Sequence, residues 1–383
     1  MAEGGVRPRV LLLTRNFPPL LGGMERLNWH LAEELGRCCA VRLVAPAGSA
    51  ARAPQGVAVH EVPLQPLRTF LVQATLRARR EARSWRPDWV LAGSGLMAPA
   101  AWWAAGGCGA RCAAYVHGLD LSLPHPVYRA LWHPLLRRMD RVIANSRATA
   151  SLARSLGIAS QRVTIVHPGT ELPQADAQAR LRFRLRHGLD AEAPLLLSVG
   201  RLTERKGLRQ FVAEVLPRIV QQHPGAVLAV VGDAPEHALY AQAQSPRSIL
   251  QAAQAAGTEA NVRLLGKLEG RPLHDAYFSA DLHVFPIREI ANDIEGFGMV
   301  SVEAAAHGLA TVAYACGGVF DAVSEGVSGR LVAPGDAAGF ARAVLDVLER
   351  PLPADGIRGF AEAFAWERFG ARITEALQCA PAC

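Results

Sequence analysis

Leu195-Leu196-Leu197-Ser198-Val199-Gly200-Arg201-Leu202-Thr203-Glu204-Arg205-Lys206-Gly207 restarts a rhythm that has already run once through the first half of the chain. An apolar run, a glycine and a basic turn form the pattern of a buried strand that ends in a loop and leads into a helix. Upstream, the same alternation predicts strands at Arg9–Thr14, Val41–Ala45, Val57–Val62, Trp89–Ala92, Cys112–Val116, Arg141–Ala144 and Val163–Val166. Glu25–Gly36 reads as a helix after the first of these, and Ser146 as the N-cap of the helix that follows Ala144. Downstream, strands are predicted at Ala226–Val231, Val262–Leu265, Leu282–Phe285, Thr311–Ala315 and Arg330–Val332. Strands alternating with amphipathic stretches build parallel sheets wrapped by helices, so the fold class is α/β with two Rossmann-like, doubly wound domains. A ligand cleft is expected where their strand ends face each other. Residues 1–170 form the first domain, a polar and Arg-rich bridge at 171–193 links it to the second, and the second covers 194–363.

At 383 residues the chain exceeds what a single core serves, in keeping with two domains. No apolar run is long enough for a signal segment or a membrane span: Val10-Leu11-Leu12-Leu13 and the stretch Met97–Cys108 are both short. Seven cysteines with no Cys-x-x-Cys pair argue against a complete disulfide set and for a reducing compartment. Cys108 and Cys112 lack ligand partners nearby and read as a structural thiol pair rather than a metal site.

The net charge of +7 is unevenly spread. Residues 1–170 hold 21 Arg and 9 acids, +12, which leaves 20 basic and 25 acidic residues, −5, for the remainder. A basic half suggests an anionic partner. Arg77, Arg79, Arg80, Arg83 and Arg86 lie among Leu71, Leu76, Trp85 and Trp89, a composition that suits an interfacial helix as well as a solvated face. A second cluster, Arg129, Trp132, Arg137, Arg138 and Arg141, is expected close to the cleft. Nucleic acid is the weaker partner, because no aromatic platform or recognition motif accompanies the charge.

Glu295-Gly296-Phe297-Gly298-Met299-Val300-Ser301-Val302-Glu303 sets two acids around a Gly-containing start and an apolar run. A helix is expected to begin near Phe297, its exposed amides favouring phosphate. Eight residues of helical rise, roughly 12 Å, would then separate an acid at a sugar from an acid at a ribose.

This segment resembles the Glu-x7-Glu signature of retaining glycosyltransferases with the GT-B fold, family 4. The resemblance implies that Glu295 and the backbone of Gly296, Phe297, Gly298, Met299 and Val300 hold the donor sugar and phosphate, and that Glu303 takes the ribose hydroxyls. Gly200-Arg201-Leu202 followed by Lys206-Gly207 is similar to the family's diphosphate motif and puts Arg201 and Lys206 on the leaving group. Arg15–Glu25, with Gly22 and Gly23, is similar to its phosphate-contacting loop. His117-Gly118 resembles its motif beside the donor sugar, while Asp120 departs from the acid pattern of some relatives. Gly317-Gly318-Val319-Phe320-Asp321 resembles a turn that more often carries Pro then Glu, and Glu325–Val332 is expected to support the fold. Gly232 and Gly266-Lys267-Leu268 would border the nucleotide, and the last segment, 364–383, would cross back to the first domain, with Trp366, Phe369 and Ile373 at helical spacing.

The function so implied is retaining, metal-independent transfer of a hexosyl group from a nucleoside-diphosphate sugar to a lipid-linked or glycan acceptor, with no cofactor. Arg288–Ile294 resembles mannosyltransferases acting on lipid acceptors and favours GDP-mannose over a UDP-sugar. A cytoplasmic protein held peripherally on an anionic inner leaflet is the expected setting. A GT-B epimerase, a pyridoxal-dependent phosphorylase and a non-catalytic nucleotide-sugar or lipid-binding protein are the alternatives; the first favours other carboxylates and no lysine stands out for the second.

Overall fold

The computed structural model describes residues 7–234 and 243–379. Residues 1–6 of the expected first domain and 380–383 of the expected last segment lie outside them. The chain divides into two compact units, Met1–Gly169 together with Trp366–Cys383, and Thr170–Ala365.

In the first unit, seven strands, β1 (Arg9–Leu13), β2 (Ala40–Pro46), β3 (Ala58–Val62), β4 (Trp89–Ala92), β5 (Arg111–Val116), β6 (Arg141–Ala144) and β7 (Val163–Ile165), form one sheet in the order β3-β2-β1-β4-β5-β6-β7. Every pair is parallel, with Val10 level with Val41 on one side and Trp89 on the other. Strands buried on both faces need apolar residues at every position, which explains the unbroken Val10–Leu13 run. Helix α1 (Gly23–Cys38) follows β1, α2 (Leu67–Trp85) precedes β4, and α3 (Ala98–Gly106) follows it. Phe70, Ala74, Ala78 and Ala82 recur every four residues and bury one stripe of α2. The terminal helix Trp366–Ala376 belongs to this unit, and Trp366 stacks on His30 of α1 with ring centroids 3.8 Å apart.

The second unit carries β8 (Leu195–Val199), β9 (Val227–Val231), β10 (Val262–Leu264), β11 (Leu282–Phe285), β12 (Thr311–Tyr314) and β13 (Gly329–Val332) in the parallel order β10-β9-β8-β11-β12-β13. Leu196, Leu228 and Val230 face one helical layer with Phe211 and Phe340, while Leu195, Leu197 and Ala229 face the other with Phe183 and Tyr277.

Three expectations are corrected. The bridge 171–193 is no free linker: its helix Ala179–Arg186 is fastened to the second unit by Arg182 to Asp275 (2.5 Å) and by the buried Arg184 to Asp281 (3.0 Å). Those acids lie about a hundred residues downstream, so the bridge looked merely polar in sequence. The cluster Arg129–Arg141 is dispersed, because Arg141 opens β6 at the sheet edge opposite the strand ends and binds Gln161 O, while Trp132 donates to Leu96 O. Cys108 and Cys112 act separately, Cys108 donating to Ala104 O and Ala105 O and Cys112 to Asp140 Oδ2. Among the described residues no helix is long and apolar enough to cross a membrane.

Ser146 is the expected cap: its Oγ accepts from Thr149 N at 3.1 Å, fully buried. Ser146→Ala should cost about 1 kcal/mol, read as a lowered urea midpoint, and Ser146→Gly only a few tenths. Burial also holds three histidines neutral: His30 falls to about 3, His283 to about 3 and His307 to about 4. Each titrates near 6.5 when unfolded. Stability is therefore complete above that pH and drains away as the pH drops toward the folded values, His307 alone accounting for on the order of 3 kcal/mol. Urea midpoints measured from pH 7 to 4 should fall, and less steeply in His307→Gln.

Candidate functional site

In the second unit the strand order reverses between β8 and β11, so the loops leaving these neighbours diverge and open a crevice at the carboxyl edge of the sheet. Two segments enter it, Gly200–Gly207 after β8 and Pro286–Gly298 after β11. Glu295 Oε2 accepts from Lys206 Nζ at 2.9 Å and from Arg205 Nη1, and Arg205 Nε donates to Asp293 Oδ1 at 3.0 Å. Lys206 Nζ also lies 4.5 Å from the centre of the Phe285 ring. Burial pushes the Lys206 ammonium well down, the nearby Arg205 and Arg201 push the same way, and Asp293 and Glu303 oppose them. Arg201, one residue past Gly200, is exposed.

The loop bearing Glu295 is held from below by the turn after β12. Gly318 N donates to Glu295 O at 2.8 Å, and a Cβ on Gly318 would stand 2.1 Å from Gly296 O, so only glycine lets the two backbones approach this closely. The match to the family's turn therefore rests on Gly317-Gly318; the replaced residues, Phe320 and Asp321, lie beyond this contact.

The helix starts later than expected. Gly298 has the left-handed φ of 99° as its N-cap and the helix covers Met299–Ala306. Glu295 thus stands on a loop, not one helical span away from Glu303, because a left-handed residue interrupts the coil between them. Phe297 is buried against Phe364, ring centroids 5.7 Å apart, so it can offer a ligand only backbone. The first-turn amides at Met299 and Val300 have no intrahelical partners and attract anions.

Glu303, nearly buried, accepts from Tyr277 Oη at 3.0 Å on Oε2. Its carbonyl receives His307 Nδ1 at 2.7 Å, and His307 Nε2 lies 2.8 Å from His274 Nδ1. The hydrogen on Nδ1 leaves Nε2 of His307 to accept from His274. Behind this, Gly232 N donates to Gly266 O, and a Cβ on Gly232 would sit 1.9 Å from Gly200 O. The ends of β8, β9 and β10 are thus drawn into one backbone shelf. Lys267 is exposed on its rim and Leu268 packs against the core.

In the first unit, His117 follows β5 and its Nε2 donates to Gly93 O at 3.1 Å, leaving Nδ1 as the acceptor. Asp120 takes the amides of His117 and Gly95, at 3.0 and 3.1 Å, on one oxygen. Its role is to tie the loops after β4 and β5 together. Gly22 precedes α1 with Glu25 folded back beside it, where Glu25 also accepts from Asn16 Nδ2 at 2.7 Å. Gly22 and Gly23 hence sit at a helix start whose nearest anion is the chain's own.

The second unit brings together Arg201, Lys206, Glu295, the Gly296–Val300 backbone and Glu303; Gly22, Gly23 and His117 belong to the first. Sequence reasoning left Arg205 and Asp293 without a role and missed Tyr277, His274 and His307. Arg205 left a trace as the residue beside Lys206, and Asp293 as part of the segment Arg288–Ile294. Among the described residues no group of three or more His, Cys, Asp or Glu is placed to hold a metal ion.

A family model described as Glycosyltransferase Family 4 matches residues 21–173, and one described as Glycosyl transferases group 1 matches residues 193–350. A D-inositol 3-phosphate glycosyltransferase of Geodermatophilus obscurus is 34% identical over 64% of this chain and 54% of its own length. The chain spans about half the length of the first curated relatives it matches. A GDP-mannose-dependent alpha-(1-6)-phosphatidylinositol monomannoside mannosyltransferase of Mycolicibacterium smegmatis is 28% identical over 96% of this chain and 98% of its own. Among solved structures, Anabaena HepE in complex with UDP aligns with a TM-score of 0.80 at 20% identity, covering 97% of this chain and 100% of that one, a likeness of fold. Two parallel Rossmann-like sheets, the crevice motifs and matches on both sides of the bridge lead to one conclusion: the chain belongs to the family 4 glycosyltransferases of GT-B fold.

Proposed function

We propose that this enzyme moves a hexosyl group from a nucleoside-diphosphate sugar to a hydroxyl of a lipid-linked or glycan acceptor, retaining the anomeric configuration and needing no metal ion. The observation that carries this is the convergence of Lys206 and Arg205 on Glu295 at the switch between β8 and β11, with Arg201 exposed in the same loop. A departing diphosphate gathers negative charge in the transition state, and cations fixed beforehand in a partly dehydrated crevice stabilise it without reorganising. Arg201, Lys206 and the amides opening Met299–Ala306 supply positive charge of the kind a divalent ion would otherwise bring.

Glu295 Oε2 is drawn on by two cations, which makes it a poor nucleophile and a good clamp for a sugar hydroxyl. Retention then takes a front-face course. The bond from the anomeric carbon to the phosphate oxygen breaks, the acceptor oxygen bonds from the same face, and its proton passes to the leaving phosphate. Glu303, oriented by Tyr277, takes the ribose hydroxyls; the shelf at Gly232 and Lys267-Leu268 borders the base; Gly22 and Gly23 are the first unit's candidates for the donor phosphate. In the first unit, His117 keeps Nδ1 as its acceptor and is the candidate for a sugar hydroxyl.

The segment Arg288–Ile294 and the GDP-mannose-dependent relative support GDP-mannose as the first donor to try, and the UDP complex of HepE supports UDP-sugars as the second. Nucleoside diphosphate release from GDP-mannose or UDP-glucose, with phosphatidylinositol as acceptor, tests the reading. Glu295→Gln and Lys206→Ala should each cut turnover about 100-fold, roughly 3 kcal/mol, with the fold kept, read as an unchanged far-UV circular dichroism spectrum at the assay temperature. Near-normal rates in both would remove the site. EDTA should leave the rate intact, and an inverted anomer in the product would refute retention.

The acceptor reading extends to an anionic membrane surface in the first unit. Leu76 is 57% exposed and Val72 59% on α2, beside Trp102 and Trp103 of α3 at 36% and 37%. Arg79 lies 3.9 Å over the Trp103 ring, and Leu76, Arg79, Arg80, Arg83 and Trp103 line one shallow groove. Trp89, expected in this face, is instead buried in β4, and Trp85 packs inward under Arg42. The tryptophans of α3 take their place. Indole rings among arginines suit a headgroup layer, each surface cation contributing about 1 kcal/mol toward anionic lipid. Binding to phosphatidylglycerol vesicles should exceed that to phosphatidylcholine, weaken with salt, and drop in a Trp102→Ala, Trp103→Ala double variant. Equal sedimentation with both lipids would count against this attachment.

A further inference from the structure

Lys206 is asked for by two anions, since the diphosphate reading above places it on the leaving group while the structure has it on Glu295. A lysine shared in this way cannot by itself keep Glu295 in place through the reaction. Arg205 can. Its Nη1 binds the same Oε2 of Glu295, its Nε is spent on Asp293 Oδ1 at 3.0 Å, and its carbonyl accepts Arg288 N at 2.8 Å. The side chain is only 12% exposed, against the open position of Arg201. It is therefore pinned at both ends and along its backbone, and two of its donors are already committed.

The surrounding backbone holds the same arrangement. A Cβ on Gly207 would meet Pro286 O at 2.0 Å, so the turn bearing Arg205 presses directly on the exit of β11. Asp293 N in turn donates to Ile290 O at 3.0 Å, closing the loop that carries both acids. Arg205 joins the loop after β8 to the loop after β11, and its planar fork reaches two carboxylates at once, which a lysine ammonium on one flexible stem does not do.

We propose that Arg205, anchored by Asp293, is the positioning residue that keeps Glu295 on the donor sugar while Lys206 is released to the diphosphate. The role rests on the glycosyl-transfer reading. Lys206 and Arg201 serve the charge that leaves; Arg205 serves the group that stays. Both cations bind Oε2 of Glu295, so Oε1 is the oxygen for a sugar hydroxyl. Arg205 itself touches neither sugar nor phosphate.

The decisive comparison is between turnover and the binding of a product that lacks the sugar. With whichever of GDP-mannose or UDP-glucose the wild type consumes, Arg205→Ala should lower kcat about 10- to 100-fold, the penalty of a misplaced clamp, while GDP or UDP affinity stays within about threefold. About 50 mM guanidinium, far below denaturing concentrations, should restore at least about fivefold of the lost rate in Arg205→Ala and none in Glu295→Gln. In a Glu295→Gln background the Arg205→Ala change should cost much less than it does alone, because the two act through one contact. If Arg205→Ala does not fold, Arg205→Lys and Asp293→Asn replace it, each expected to lower kcat with nucleoside diphosphate affinity kept. Wild-type kcat in the substituted protein overturns the role. So does a nucleoside diphosphate affinity that falls in step with kcat, which would make Arg205 a phosphate ligand. A wild type that neither consumes nor binds any nucleotide sugar would instead remove the transfer reading, and this role with it.

Discussion

One carboxylate oxygen, Oε2 of Glu295, receives two cations where all three side chains are 15% exposed or less, and much of the second unit is arranged to make that contact sustainable. Burying a charge is costly unless it is paired and hydrogen-bonded, and pairing is strong only when the partners are held in place. Here β8 and β11 lie side by side, Arg205 and Lys206 leave one, and Asp293 and Glu295 leave the other. Two acids balance these two bases, and Arg201 stands exposed in the same loop. The sheet order, rather than any single residue, makes this pairing possible.

The glycines follow from the same requirement. Gly318 under Gly296, Gly207 under Pro286 and Gly232 under Gly200 are places where one loop's backbone rests on another's, with no volume left for a methyl group. A loop supported in this way has fewer conformations to lose when a ligand arrives, so less of the binding free energy goes into ordering it. Glu303 is steadied differently, by Tyr277 on its carboxylate and His307 on its carbonyl. Loop contacts position one acid and a helix with its neighbours positions the other.

The first unit uses its surface differently. A Rossmann-like sheet needs its helices apolar on one face only, and α2 meets that need with Phe70, Ala74, Ala78 and Ala82. Its other side is free to carry Leu76, Arg80 and Arg83 outward, beside the paired tryptophans of α3. This aromatic and basic face is the one proposed above for an anionic membrane surface.

Much of the fold was legible in the sequence because its signals are local. A strand buried on both faces is an unbroken apolar run, a strand exit is a glycine, and a helix start is Ser146 or a Gly-Gly pair, each readable within a few residues. Thus the thirteen strands among the described residues appear within a residue or two of where the pattern puts them, and Arg201, Lys206, Glu295 and Glu303, read by motif, all fall in the second unit. The pairings were not legible. Arg205 meets Asp293 and Glu295 some 90 positions away, Tyr277 reaches Glu303 over 26, and Arg184 finds Asp281 over 97. Gly298 also delays the helix in a way composition does not reveal. What the sequence determined by itself was the set of elements and the kinds of groups at their ends, since both depend on nearest-neighbour chemistry. The tertiary structure decided which of those groups share a proton or an ion pair, because that depends on the order in which strands pack, a property that no local stretch carries.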